Sequence, residues 1–130
     1  MTHALVLDAS VMVTLLTRRS ARADIGRRLG GASVHVPAHF DAEVLSALGR
    51  LHHSGDLAAS DVERGLAALA EAPFKRHDLA PLLASAWDLR GNVRLVDALY
   101  LALAAELGAP LLTLDRGLAS ACAEAELLEI

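Results

Sequence analysis

The chain has 130 residues, a length that fits one domain, predicted over residues 1–130, with a hydrophobic core of ordinary size. It is 54% hydrophobic with few aromatic residues, which predicts an ordered aliphatic core and excludes a disordered chain. The net charge of −4 argues against a general nucleic-acid coat protein, and the single cysteine excludes an internal disulfide and a thiolate zinc site. No segment approaches about 20 uncharged apolar residues, so neither a signal peptide nor a membrane span is expected and a cytoplasmic location is predicted.

Short apolar runs alternate with segments of helical periodicity along the chain. Strands are predicted at residues 4–7, 34–36, 74–77 and 111–114, with a further edge strand at 127–130. Helices are predicted at residues 11–18, 22–29, 38–53, 60–71, 79–90, 95–107 and 116–125. Ser10 is expected to cap the first helix, and residues 60–63 match a capping box. The alternation predicts an α/β fold with a mainly parallel sheet of four to five strands flanked by helices.

Three aspartates stand at the ends of these predicted elements. Asp97 lies in the first turn of a helix whose next eight residues, 98–105, carry no charge. Asp115 and Asp8 each directly follow an apolar strand. Strand carboxyl ends and helix starts share one edge of a parallel sheet, where a buried carboxylate needs a partner or a cation. Each aspartate alone also fits a helix cap or a first-turn residue, but three on one edge favour a shared cation.

Glu43 is the fourth carboxylate of this predicted site. At helical spacing it lies beside Phe40 and Ala47, so it borders the apolar face of its helix. A surface glutamate paired with Arg50 is the structural alternative. Four carboxylates without thiolates form a hard-oxygen ligand set, which selects Mg²⁺ or Mn²⁺ over Zn²⁺. The reaction that such a set best supports is hydrolysis of a phosphodiester by metal-activated water.

Two hydroxyl residues stand two positions from strand-end aspartates. Ser10 follows Asp8, and Thr113 precedes Asp115. Both side chains are predicted to orient the carboxylates or a metal-bound water. Helix capping by Ser10 and strand packing by Thr113 are the alternatives, and they are given equal weight.

An arginine-rich segment runs from residue 18 to residue 28. It holds five of the twelve basic residues of the chain: Arg18, Arg19, Arg22, Arg27 and Arg28. A solvated helix face is the ordinary interpretation of such a run, and a local phosphate-facing patch is the functional one.

Four segments together resemble the PIN-domain ribonucleases, and in detail the VapC-type toxins of bacterial toxin–antitoxin pairs. They are V-L-D-A-S at 6–10, E-V-L-S-A-L at 43–48, V-D-A-L-Y-L-A-L-A at 96–104 and L-L-T-L-D-R-G-L-A at 111–119. The resemblance covers essentially the whole chain. By position it assigns Asp8, Glu43, Asp97 and Asp115 to the family's metal-binding acids, Ser10 and Thr113 to its hydroxyl positions, and Asn92 to a polar position before the third acid.

The resemblance implies a PIN-like fold and a Mg²⁺-dependent endoribonuclease, with Mn²⁺ as a substitute cation, acting on tRNA or a ribosomal RNA loop. It also implies a homodimer and inhibition by a VapB-type antitoxin whose tail enters the acidic site. Arg18, Arg19, Arg22 and Arg116 are the residues predicted to contact RNA or the antitoxin. A non-catalytic PIN-fold interaction module is the alternative. A phosphate-transfer domain fits poorly, because no D-x-D follows the first strand and the only lysine, Lys75, does not follow a late strand.

Overall fold

The computed structural model describes residues 3–130 and contains five strands and seven α-helices. The strands are β1 (His3–Leu7), β2 (Ala32–Pro37), β3 (Lys75–His77), β4 (Leu111–Thr113) and β5 (Ala125–Leu127). The helices are α1 (Ala9–Thr17), α2 (Arg22–Leu29), α3 (Phe40–His53), α4 (Ala59–Glu71), α5 (Leu83–Asp88), α6 (Leu95–Leu107) and α7 (Arg116–Ala121). Short 3₁₀ turns at Arg19–Ala21 and Ala80–Leu82 precede α2 and α5. Across the described residues, no helix combines the length and the apolar character that crossing a membrane requires.

All five strands are parallel, in the order β3-β2-β1-β4-β5. The predicted α/β class with a parallel sheet flanked by helices is therefore confirmed. The chain steps outward from β1 to β2 and β3, then returns to the other side of β1 with β4. The strand order thus reverses between β1 and β4, and the crevice beyond their carboxyl ends is where such sheets bind ligands.

The helix α6 fills the centre of the molecule. Its residues 98–104 are all buried, and it packs against β1, β2 and β4. This explains why the segment is aliphatic all round and lacks a polar face. Gly108 ends the helix with φ of 60°, a left-handed conformation that a glycine adopts without strain. The rigid helix therefore fixes Asp97, in its first turn, at one end of the sheet.

Two predicted helix caps are wrong. α1 begins at Ala9, so Asp8 occupies the N-cap position, and the Ser10 hydroxyl donates to the Asp8 carboxylate. α4 begins at Ala59, and no side chain caps it. A serine inside the first turn no longer faces the free backbone N–H groups that a capping hydroxyl accepts from.

The other differences lie mainly in the second half of the chain. The helix predicted at 79–90 is a 3₁₀ turn followed by the short α5, with Pro81 in the first turn. The last helix ends at Ala121, not at residue 125, and the edge strand runs over β5 and not over 127–130. The reason is that β5 pairs with β4 and aligns Ala125 with Leu111. Because Ala125 is already part of a strand, α7 must end several residues before it.

Candidate functional site

Pairing of β1 with β4 brings together Asp8 and Asp115, the first and last of the four predicted acids along the chain. The backbone N–H of Asp8 donates to the carbonyl of Leu112 at 3.0 Å, which places Asp8 beside Thr113. The Thr113 hydroxyl donates to Asp8 Oδ2 at 2.8 Å and accepts from the backbone N–H of Asp115 at 3.0 Å. The fully buried Thr113 therefore links two acids that are 107 positions apart in the sequence.

Asp8 is a buried carboxylate held by hydroxyl groups. Only 6% of the residue is exposed, and Ser10 Oγ donates to the same Oδ2 atom at 2.6 Å. Ser10 Oγ also accepts from the backbone N–H of Leu114 at 3.1 Å, so its position is fixed from two sides. Burial raises the pKa of Asp8, the two hydroxyl hydrogen bonds lower it, and the negative charge of Asp97 raises it further.

Glu43 points from α3 toward α6. Tyr100 donates its hydroxyl proton to Glu43 Oε1 at 2.5 Å. Arg50, the partner considered in the structural alternative, instead donates to Ser46 at 2.8 Å. The Tyr100 ring is fully buried, and burial together with the hydrogen bond to the Glu43 carboxylate raises the pKa of the phenol, which keeps it protonated.

Tyr100 and His39 are site residues that the sequence interpretation did not single out. His39 Nε2 lies 2.9 Å from the carbonyl of Val96 and 3.5 Å from Glu43 Oε1, and its ring centroid is 5.0 Å from that of Tyr100. The buried Nδ1 atom of His39 has no hydrogen-bond partner among residues 3–130. A lone tyrosine in an aliphatic helix was a usable signal, because a buried phenol requires a polar partner.

Asp97 and Asp115 border the open part of the site. Arg94 Nε donates to Asp97 Oδ2 at 3.0 Å, and Asp115 Oδ1 accepts from the backbone N–H of Leu118 at 3.1 Å as the cap of α7. Both aspartates border a cleft of about 290 Å³. The cleft is lined by Asn92, Val93, Arg94, Asp97, Asp115, Gly117 and Leu118. Asn92 thus lies beside two of the acids.

The four carboxylates act electrostatically on a common region. The charge of Asp97 raises the pKa of Asp8, and the pKa of Arg94 is raised by its hydrogen bond to Asp97 and by the charges of Asp97, Glu43 and Asp115. Over residues 3–130, however, no three Asp, Glu, His or Cys side chains approach closely enough to enclose an ion. Each acid is held by its own donor. The all-oxygen donor set nevertheless fits Mg²⁺ or Mn²⁺ by its chemistry.

The predicted arginine contacts fall into two separate places. Arg116 is exposed and directly follows Asp115, at the start of α7 and near the acids. Arg18, Arg19 and Arg22 lie beyond the far end of α1, roughly 14 Å along the helix from Asp8 by the usual rise per residue. Arg19 and Arg22 line a groove between α1 and α4 instead of the acidic site.

Comparison with known proteins agrees with this architecture. The family model described as "PIN domain" matches residues 5–124. Ribonuclease VapC3 of Mycobacterium tuberculosis is 51% identical over 117 residues, which cover 89% of this chain and 85% of the relative.

Two solved structures show the same fold. A toxin–antitoxin complex from Klebsiella pneumoniae superimposes with a TM-score of 0.71 at 17% identity, covering 96% of this chain and 98% of the other. Mycobacterium tuberculosis VapC20, described as a sarcin–ricin loop cleaving toxin, gives a TM-score of 0.67 at 19% identity, covering 90% and 94%. With a family match over most of its length and a relative at 51% identity, the chain belongs to the PIN-domain family, in its VapC branch.

Proposed function

We propose that this protein is a Mg²⁺- or Mn²⁺-dependent endoribonuclease that acts as the toxin of a toxin–antitoxin pair in the cytoplasm. The observation that supports the proposal is the position of Asp8 and Asp115 at the β1–β4 switch point, where Thr113 bridges them and Asp97 borders the same cleft as Asp115. The charge of Asp97 acts on Asp8, and the charges of Asp97, Glu43 and Asp115 act on Arg94. The relative at 51% identity is named a ribonuclease, which supports RNA as the substrate.

Two groups of residues would form such a site: the acids that hold the cation and the donors that orient those acids. Asp8, Glu43, Asp97 and Asp115 would hold the cation, which supplies an acidified water and neutralises charge on the phosphate. Thr113 and Ser10 fix the orientation of Asp8, and Tyr100 fixes Glu43. The backbone N–H of Leu118 fixes Asp115. These bonds keep the carboxylate oxygens in place before substrate arrives, so little reorganisation is left for the reaction itself.

The direct test is RNA cleavage by the purified protein. Total tRNA and rRNA are incubated with wild type and with Asp97→Asn in Mg²⁺, in Mn²⁺ and in EDTA. We expect EDTA to abolish cleavage and Asp97→Asn to lower the rate at least about a hundredfold, the scale of one electrostatic catalytic group. Asp88→Asn, on the exposed surface of α5, is the matched control and should cleave at the wild-type rate. Equal cleavage by Asp97→Asn and wild type would contradict the proposal.

A non-catalytic interaction module is the second candidate. The observation that favours it is that the side chains of residues 3–130 do not enclose an ion. The two candidate functions predict different results both for growth of expressing cells and for RNA cleavage in vitro. A folded protein that neither cleaves RNA with any divalent cation nor arrests growth on expression would establish the interaction module.

The proposed antitoxin has a suitable surface in the groove between α1 and α4. Leu15, Leu16 and Leu57 supply its apolar lining, while Arg19 and Arg22 supply positive charge. Such a groove suits a segment with apolar and acidic side chains. A solved neighbour of the same fold is a toxin–antitoxin complex, which supports a partner of this kind. Co-purification of a tagged chain with the protein encoded beside it, lost in Arg19→Glu/Arg22→Glu, tests this partner.

A further inference from the structure

Arg94 is a cation that the chain itself supplies to the acidic site, in direct contact with Asp97. It stands at the N-cap of α6, three residues before Asp97. Its guanidinium contacts both oxygens of that carboxylate, with Nε 3.0 Å from Oδ2 and Nη2 3.4 Å from Oδ1. A two-point contact of this kind uses the carboxylate oxygens that a divalent cation would need.

The field at Arg94 comes from more than one acid. Glu43 and Asp115 also stabilise its positive charge, although neither is hydrogen-bonded to it. Its guanidinium therefore lies within the combined negative potential of three of the four predicted ligands. A positive charge at this position lowers the repulsion among the carboxylates, as a bound metal ion would also do.

The pair is asymmetric in its freedom to move. The side chain of Arg94 is 76% exposed, whereas that of Asp97 is only 14% exposed. Asp97 belongs to the first turn of the largely buried α6 and cannot move away easily. The Arg94 side chain can leave the Asp97 carboxylate by rotating into solvent. An exposed ion pair is weak, so a divalent cation can replace it at small cost.

We propose that Arg94 is a built-in counter-cation of the acidic site, which an incoming divalent cation must displace from Asp97. This inference rests on the proposed metal-dependent function. It implies that Arg94 lowers the affinity of the free protein for metal and thereby sets the cation concentration at which the site fills.

The test measures metal binding without RNA. Mn²⁺ is titrated calorimetrically into EDTA-stripped wild type, Arg94→Ala, Arg94→Gln and Asp97→Asn. Removing the guanidinium should tighten Mn²⁺ binding about two- to tenfold in both Arg94 variants, since a surface pair competing with a doubly charged ion is lost. Arg90→Ala is the matched control, because this arginine lies over the Trp87 ring, outside the site, and carries the same charge. Its Mn²⁺ affinity should stay within about twofold of wild type.

The outcomes separate the two proposals. Equal Mn²⁺ affinity in wild type and both Arg94 variants, with binding lost in Asp97→Asn, would overturn the role of Arg94 and leave the metal site standing. Weaker binding in the Arg94 variants would also overturn it, because Arg94 would then position Asp97 for the metal. Absence of Mn²⁺ binding in every variant would overturn both proposals. Circular dichroism checks that each variant is folded.

Discussion

At the scale of single residues, the site is built from acids that each have a dedicated donor. Asp8 receives two hydroxyl hydrogen bonds, Glu43 receives one from Tyr100, and Asp97 is paired with Arg94. These donors stabilise the charged carboxylates only in part, because the pKa of Asp8 remains raised. The ionised site therefore carries an electrostatic cost, from burial and from the charge of Asp97, that an added cation would relieve.

That cost predicts that Asp8→Asn stabilises the metal-free protein at neutral pH. A carboxylic acid whose pKa is raised on folding contributes stability below its unfolded pKa of about 3.9 and loses it as the pH rises through the folded pKa. At pH 7 the ionised Asp8 is thus unfavourable, and asparagine removes the charge while its carbonyl still accepts hydrogen bonds. Urea denaturation in EDTA should give a higher midpoint for Asp8→Asn at pH 7 than for wild type.

The same experiment at lower pH gives the control for this prediction. As the pH falls through the raised pKa of Asp8, the wild-type carboxylate becomes protonated, so the advantage of Asp8→Asn over wild type should shrink. Asp88→Asn removes an exposed charge on α5 and should show no such pH-dependent difference. A lower midpoint for Asp8→Asn at pH 7 would contradict the assignment of Asp8 as a destabilised carboxylate.

Tyr100 is expected to act through Glu43. Tyr100→Phe removes the hydroxyl that holds Glu43 and should lower RNA cleavage about 10- to 100-fold, as the loss of other partners of metal ligands does. Folding stability should fall by about 1 kcal/mol, the typical net value of one hydrogen bond. Cleavage rates and denaturation midpoints measure the two effects.

A double-mutant cycle decides whether this role is specific. If Tyr100 positions Glu43, then Tyr100→Phe should cause no further loss of cleavage when Glu43→Gln is already present. Equal effects of Tyr100→Phe in the presence and absence of Glu43→Gln would mean that the two residues act independently.

At the scale of the elements, the arginine-rich segment is divided by its contacts. Arg27 pairs with Asp24, and Arg28 makes a two-point contact with Glu126 of β5 at 2.7 and 2.8 Å. Arg18, Arg19 and Arg22 form no salt bridge with other side chains of residues 3–130. The charges of Arg27 and Arg28 are therefore paired within the chain, whereas those of the other three arginines are available to a partner, with Arg22 held by the carbonyl of Leu15.

Replacing Arg18, Arg19 and Arg22 with alanine should therefore flatten the salt dependence of RNA binding. Each lost phosphate contact lowers the slope of log affinity against log salt by about 0.7–0.9. Filter binding or fluorescence anisotropy at several salt concentrations measures this slope. Arg27→Ala/Arg28→Ala is the matched control, since both charges are already neutralised by acids of the same chain. An unchanged slope in the triple variant would exclude RNA contact by these arginines and leave the antitoxin groove or a solvated helix face as their role.

At the scale of the whole molecule, large apolar side chains are exposed on the neighbouring helices α5 and α6. Leu83 and Trp87 stand one turn apart on α5, with 56% and 55% of each residue exposed, and Val96 is exposed at the start of the adjacent α6. An exposed apolar patch of this kind is typical of an interaction surface. We propose it as the contact of the homodimer that the family resemblance implies.

Light scattering after size-exclusion chromatography tests the dimer. Wild type should have twice the mass of one chain, and Leu83→Ser/Trp87→Glu should shift the mass toward that of a monomer. Ile130→Ser is the matched control, because it replaces an exposed apolar residue outside α5 and α6, and it should leave the mass unchanged. A wild-type protein that is monomeric at high concentration would disprove the dimer.

The order of the elements follows from the amino-acid sequence, which also singles out the four acids that we propose as metal ligands. The long run of uncharged apolar residues and the Gly108 that follows it predicted α6 with the bounds it has, because a glycine marks where such a helix ends. Short elements were less well predicted: the bounds of β5 depend on pairing with β4, which no local pattern encodes. The helix caps predicted at Ser10 and at residues 60–63 were also wrong. A serine hydroxyl can bond either to the backbone or to a carboxylate, and which partner is within reach depends on the folded structure, as the bond from Ser10 to Asp8 shows.

The distant donors of Asp8 and Glu43 depend on how the elements pack. Thr113 reaches Asp8 because β1 and β4 pair in register, and Tyr100 reaches Glu43 because α3 and α6 face each other across the site. The distances along the chain, 105 and 57 residues, carry no local signal for either contact. A sequence specifies which polar groups require partners, since burial without one is costly, but packing selects the partner.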